Sequence, residues 1–108
     1  MPTDRPGVAR SIVPRPRLEA LCAGHFPDDP IVPGAYIAGL LAEVASLAAR
    51  PDARLVEIER CTFLAPLRPG DDVILVATRA TAESHGTVVE TEVQAAGECV
   101  ARARVRFA

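Results

Sequence analysis

His25 stands in the run Gly24-His25-Phe26-Pro27-Asp28-Asp29-Pro30-Ile31-Val32-Pro33-Gly34. A neutral imidazole titrates near working pH, which suits it to take up and return a proton. Pro27, Pro30 and Pro33 stiffen the loop. Pro33-Gly34 then opens a strongly apolar segment, which places the unpaired amides and positive dipole end of a helix close by in sequence. A general acid/base candidate, a rigid loop and a helix N-terminus thus converge within eleven residues. The plainer readings are a loop histidine bonded to a backbone carbonyl and a glycine that simply starts a helix.

The elements that must position these residues follow from periodicity. Tyr36, Ile37, Leu40, Leu41, Val44 and Leu47 recur at helical steps, predicting a helix from Gly34 or Ala35 to about Ala49. Its only charge is Glu43, so it reads as a helix buried on most of its circumference. Arg50-Pro51-Asp52 ends it. Before the loop, Val8 to Val13 reads as a strand, Pro14-Arg15-Pro16 as a breaker and Leu18 to Cys22 as one short turn.

After the helix the chain reads as strands. Arg54 to Leu64 shows no clean apolar face, with Leu55, Glu57, Glu59 and Cys61 alternating against Val56, Ile58, Arg60 and Thr62. Arg68-Pro69-Gly70-Asp71 is a turn. Asp72 to Ala82 is apolar on both faces at its start, as a central strand would be. Ser84-His85-Gly86 is a hairpin turn, leaving His85 exposed, and Thr87 to Ala95 follows. Beyond the turn Ala96-Gly97-Glu98, the last strand points Cys99, Ala101, Ala103, Val105 and Phe107 inward and Arg102, Arg104 and Arg106 outward. One long helix with a mostly antiparallel sheet is an α+β architecture, expected as a single domain over residues 1–108 with residues 1–7 as a loose lead-in.

A net charge of −2 argues against a nucleic-acid or anionic-membrane binder. No apolar run is long enough to span a membrane, and residues 1–7 lack the apolar stretch of a secretory signal, so a cytoplasmic location is expected. The three cysteines, Cys22, Cys61 and Cys99, form no C-x-x-C pair; with only two histidines they argue against a zinc site and read as free thiols. All twelve basic side chains are arginine. The outward row Arg102, Arg104 and Arg106 reads as a solvated face, or as a surface attracting an acidic carrier or a phosphopantetheine phosphate.

The match at Gly24, His25, Phe26, Pro27, Pro30, Pro33 and Gly34 resembles the active-site loop of the hot-dog-fold beta-hydroxyacyl-thioester dehydratases of fatty-acid synthesis. The run from Cys61 to Asp71 resembles that family's next strand and turn, and the similarity covers roughly residues 8–108. The resemblance implies a helix wrapped by a sheet, paired subunits with active sites at their interface, and a lyase needing no metal or organic cofactor. It implies His25 as the catalytic base, with Phe26 and Gly34 at the thioester, Gly34 through its backbone N–H. The implied partners are acyl thioesters of acyl carrier protein or coenzyme A and a second copy or a related subunit.

One position departs from the pattern. The family carries Asp or Glu fourteen residues after the histidine, and here that residue is Gly39. Glu43 lies one turn later, facing nearly the same way but about 6 Å further along the axis, so it would reach a substrate only through water or a shifted pose. Three readings stay open: a 3-hydroxyacyl-thioester dehydratase or hydratase using His25 and Glu43; an acyl-thioester-binding subunit needing a partner that carries the acid; and a hot-dog thioesterase. Asp28 and Asp29 are solvated loop charges or groups near the entrance that disfavour acidic partners.

Overall fold

The computed structural model describes residues 8–22, 31–49, 52–83 and 86–108. In chain order these form β1 (Val8–Val13), α1 (Arg15–Cys22), α2 (Gly34–Ala48), β2 (Leu55–Phe63), β3 (Val73–Glu83), β4 (Gly86–Ala95) and β5 (Glu98–Phe107). The five strands make one antiparallel sheet in the order β1-β3-β4-β5-β2, and α2 packs against all five. The expected α+β arrangement of one long helix on an antiparallel sheet is what forms.

The helix stripe explains the packing. Ile37, Leu40, Leu41, Val44, Ala45 and Ala48 are buried and fall on one face at a period of 3.6 residues. Leu41 and Val44 are fully buried, and each such side chain contributes roughly 1.5–3 kcal/mol by leaving water. Across from them lie Val73, Leu75 and Ala77 of β3, Val89 and Val93 of β4, and Ala101 and Val105 of β5. Tyr36 and Leu47 repeat at helical spacing but lie beside the stripe, and both are exposed. The helix is therefore one-sided in the single chain, with Gly39, Glu43 and Ser46 on its open face.

Two local readings change. Leu18 to Cys22 is not one turn but the end of an eight-residue helix. Pro16 does not break it, because proline is tolerated in a first turn, where amides lack partners. The carbonyl of Pro14 accepts from the amides of Arg17 (3.0 Å) and Leu18 (3.2 Å). Cys99 is also not a core residue: the β4–β5 register shifts between Val93 and Gln94, and Val100 is buried beside it. β3 lies between β1 and β4, an interior strand as its apolar start implies.

The ambiguous strand is β2, and two bulges account for it. The register with β5 shifts between Leu55 and Glu57 and again between Glu59 and Thr62. Each shift inserts one extra residue and reverses which parity faces the helix. Ile58 and Cys61 thus both pack against the core, though three apart, and Thr62 lies opposite Arg102 on the outer face. Arg60, in the second bulge, has φ 50°.

Candidate functional site

The site begins at the N-terminus of α2. Pro33 precedes it in an extended conformation and no side chain caps the helix. The Pro33 carbonyl accepts from the amides of Tyr36 (3.0 Å) and Ile37 (3.1 Å), which leaves the amides of Gly34 and Ala35 without an intrahelical acceptor. The segment entering the helix is pinned where the amide of Val32 donates to the carbonyl of the fully buried Leu67 (2.8 Å).

Phe63, at the end of β2, explains the glycine. A Cβ on Gly34 would stand 3.3 Å from Cζ of the Phe63 ring, so the ring rests on the first residue of the helix. Half of Phe63 remains exposed. Amides of Leu64 (2.8 Å) and Ala65 (3.2 Å) both donate to the carbonyl of Val100 and fix the end of the strand. The result is an uncapped helix start bordered by an aromatic ring, able to donate to an oxygen that gains negative charge. Sequence reasoning identified Gly34 but not Phe63, whose position depends on the two bulges upstream.

His25, Phe26, Asp28, Asp29 and the loop prolines Pro27 and Pro30 lie outside the described residues, as do Ser84 and His85. The chain on either side of residues 23–30 is anchored, since Cys22 and Val32 are buried.

Gly39 and Glu43 share the open face of α2. Among the described residues a Cβ on Gly39 would meet no atom within 4 Å, so their packing does not require a glycine there. Glu43 is engaged from α1: Arg17 Nη1 donates to Oε2 at 2.9 Å and Nη2 to Oε1 at 2.7 Å. This is a two-pronged guanidinium–carboxylate pair. The Arg17 hydrogen bonds hold the Glu43 carboxyl below the usual carboxylate range against a smaller opposing effect of burial, and Glu43 in turn raises Arg17. A carboxylate so held is ionised near neutral pH and has both oxygens occupied. Arg17 was not foreseen, because nothing in spacing links residues 26 apart.

Two of the outward arginines are paired. Arg104 pairs with Glu90 (2.9 Å), while Arg106 bridges Glu57 (3.1 Å) and Glu59. Shallow hollows of about 330 and 230 Å³ lie on this outer face. They are lined by residues such as Thr62, Thr78 and Arg102, across the sheet from Gly34, and do not belong to the helix-start site. The three cysteines are free thiols. Burial pushes Cys22 and Cys61 up, and burial with Glu92 does the same for Cys99, so none is a poised thiolate. Among the described residues no helix is long and apolar enough to cross a membrane.

This geometry has relatives. The 3-hydroxyacyl-[acyl-carrier-protein] dehydratase FabZ of Caldanaerobacter subterraneus is 39% identical over 64 residues, 53% of this chain and 45% of that protein. The chain thus spans about half the length of that relative. An uncharacterized protein of Pyrococcus horikoshii superposes with a TM-score of 0.80 at 20% identity, covering 95% of this chain and 75% of that one. A chain of the dehydratase heterocomplex ApeI:P from Xenorhabdus doucetiae gives 0.70 at 20% identity, covering 93% and 84%. These two structures establish the shared hot-dog fold. A family model described as ApeI dehydratase matches residues 11–103, nearly the whole chain, and the protein belongs to this ApeI-like dehydratase family.

Proposed function

We propose that the protein removes water from a 3-hydroxyacyl thioester, or adds it back in reverse, with His25 as the base. His25 takes the C2 proton while the electron pair moves toward the thioester carbonyl. The Gly34 amide donates to that carbonyl oxygen, and Phe26 borders the thioester. The C3–O bond then breaks, the C2–C3 double bond forms, and the hydroxyl leaves as water once it gains a proton. The observation that carries this reading is the G-H-F-P loop running into an uncapped helix whose first amide, at Gly34, has no intrahelical acceptor.

The proton for the leaving hydroxyl has two sources to distinguish in this scheme. One is the imidazolium formed in the first step, so that a single residue moves the proton from carbon to oxygen. The second reading places an acid on a related partner subunit, and the open face of α2 favours it: Gly39 has no side chain and Glu43 is tied to Arg17. The Xenorhabdus neighbour is itself part of a dehydratase heterocomplex. In either case we propose that two chains join along β2, an edge strand whose flank exposes Leu55, Val56, Phe63 and Leu64.

The test is to incubate the purified protein with 3-hydroxyacyl thioesters of several lengths, on coenzyme A and on acyl carrier protein. The expected product is the 2-enoyl thioester, and His25→Ala abolishes it. Activity that arises only with a carboxylate-bearing partner selects the second reading. Release of free acid identifies a thioesterase instead, and no product under any of these conditions overturns the proposal.

A further inference from the structure

The short helix α1 carries the chain directly into residues 23–30, so whatever fixes α1 also fixes one end of the segment that holds His25. An eight-residue helix is not stable by itself. The backbone of α1 approaches the other elements far more loosely than that of α2 does. Its attachment rests on side chains: Leu18 and Cys22 are buried, Arg15 reaches Asp72 at 3.1 Å, and Arg17 grips Glu43. The links differ in kind. Buried Leu18 and Cys22 hold α1 against the core but do not direct its rotation strongly, since apolar contact is non-directional. The Arg15–Asp72 pair has one short contact between largely exposed side chains. Arg17–Glu43 has two parallel hydrogen bonds in a planar fork, the arrangement that fixes orientation best.

We propose that Arg17 and Glu43 are a positioning pair: their guanidinium–carboxylate fork sets the orientation of α1 on α2 and thereby the point and direction from which the chain enters residues 23–30, the stretch whose sequence carries His25. Glu43 then acts through Arg17, and its carboxylate does not exchange a proton with substrate. This rests on the reading of His25 as the base. It explains why the single charge on α2 sits one turn past Gly39 and is engaged within the same chain.

The pair predicts a pattern that a general acid does not. If Glu43 delivers a proton, Glu43→Gln lowers turnover on the order of a hundredfold or more and removes a limb of the pH–rate profile, while Arg17→Ala does neither. If the pair positions α1, Arg17→Ala and Glu43→Gln each lower kcat by a similar factor, about twofold to fivefold, as the competent orientation loses population. The pH profile keeps its shape, the double variant is no worse than either single one, and the exchange Arg17→Glu with Glu43→Arg restores much of the loss.

A second readout does not depend on turnover. The imidazole C–H signal of His25 is followed by NMR through a pH titration, with His25→Ala assigning it and His85 as internal reference. Through bare electrostatics the two single variants move the His25 titration in opposite directions, because one removes a positive charge and the other a negative one. Through lost positioning both move its chemical shift in the same direction, and the exchange variant returns it. Opposite movements, or an unmoved signal, overturn the pairing even in a protein that turns over no thioester. Absence of turnover in the wild type with a same-direction NMR response overturns only the dehydratase reading.

Discussion

Replacing Gly39 by alanine should stabilise the protein. Glycine in a helix interior is about 0.8–1.0 kcal/mol less favourable than alanine, because the unfolded chain loses more freedom on entering the helix. That gain is realised only where the methyl has room and the backbone is ordinary. Both hold here, since Gly39 lies mid-helix in α2, is exposed, and a Cβ would meet nothing within 4 Å among the described residues. The full propensity difference of about 1 kcal/mol is therefore expected, a rise of roughly 4–8 °C in midpoint for a small domain. Thermal unfolding followed by circular dichroism, repeated over a range of concentrations, measures it. An unchanged or lowered midpoint refutes the reasoning, because the methyl would then not find the open space that the described residues leave at Gly39. Gly39→Glu extends the test to chemistry. Its propensity gain is partly cancelled by a like charge four residues from Glu43, a cost of about 0.2–0.5 kcal/mol that Arg17 reduces. A carboxyl placed at the empty position should raise turnover of 3-hydroxyacyl thioesters by about a hundredfold if the missing acid is limiting. A well-folded Gly39→Glu protein with no gain would show that the acid is not what the lone chain lacks.

Three further outcomes follow from backbone geometry and charge. Gly86 has φ +133° and a Cβ there would fall 1.9 Å from the carbonyl oxygen of Phe107, so Gly86→Ala should cost about 3 kcal/mol or more in urea unfolding, and a native midpoint would contradict the β4–β5 approach. Ala96 has φ 53° beside Gly97 at φ 80°, in the two-residue turn joining β4 to β5. Ala96→Gly should gain about 0.5–1 kcal/mol by relieving a left-handed alanine, measured the same way, and a loss would contradict that strain. Arg17 depresses the Glu43 carboxyl from its ordinary 4.5, so the pair stabilises the fold above that pH and the contribution is lost as pH falls through the folded value. Both partners are about half exposed, which limits the effect to below about 1 kcal/mol; Glu43→Gln should abolish that portion of the acid-side slope in urea midpoints, and an identical slope would contradict it.

Local periodicity carried most of the fold. The strand Val8–Val13 and the helix starting at Gly34 have the limits that their residues imply, because Pro14 and Pro33 punctuate them. Periodicity failed where the backbone inserts residues. The bulges of β2 place Ile58 and Cys61 on one side, and the shift at Val100 displaces Cys99, so alternation read along the chain assigns the wrong parity beyond each insertion. It also failed for links between distant segments. Glu43 stood out as the lone charge of an apolar helix, but its partner Arg17 is visible only once α1 and α2 lie side by side. Of the candidate site, Gly34 and Glu43 can be followed in the structure, whereas the reading of His25 and Phe26 still rests on their sequence motif.

The irregularity of β2 also bears on which strands its edge will accept. A long regular edge offers the same ladder of amides and carbonyls in many alignments, and so admits slipped neighbours and open-ended growth. Here the extra residues near Val56 and Arg60 leave Glu57, Ile58 and Glu59 as the regular run between them. A neighbouring strand shifted by one or two residues meets a kink instead of a continuing ladder. If two chains join along this edge as proposed, the same bulges that concealed the strand's faces would act as a register key, favouring a closed pair over an extending ribbon.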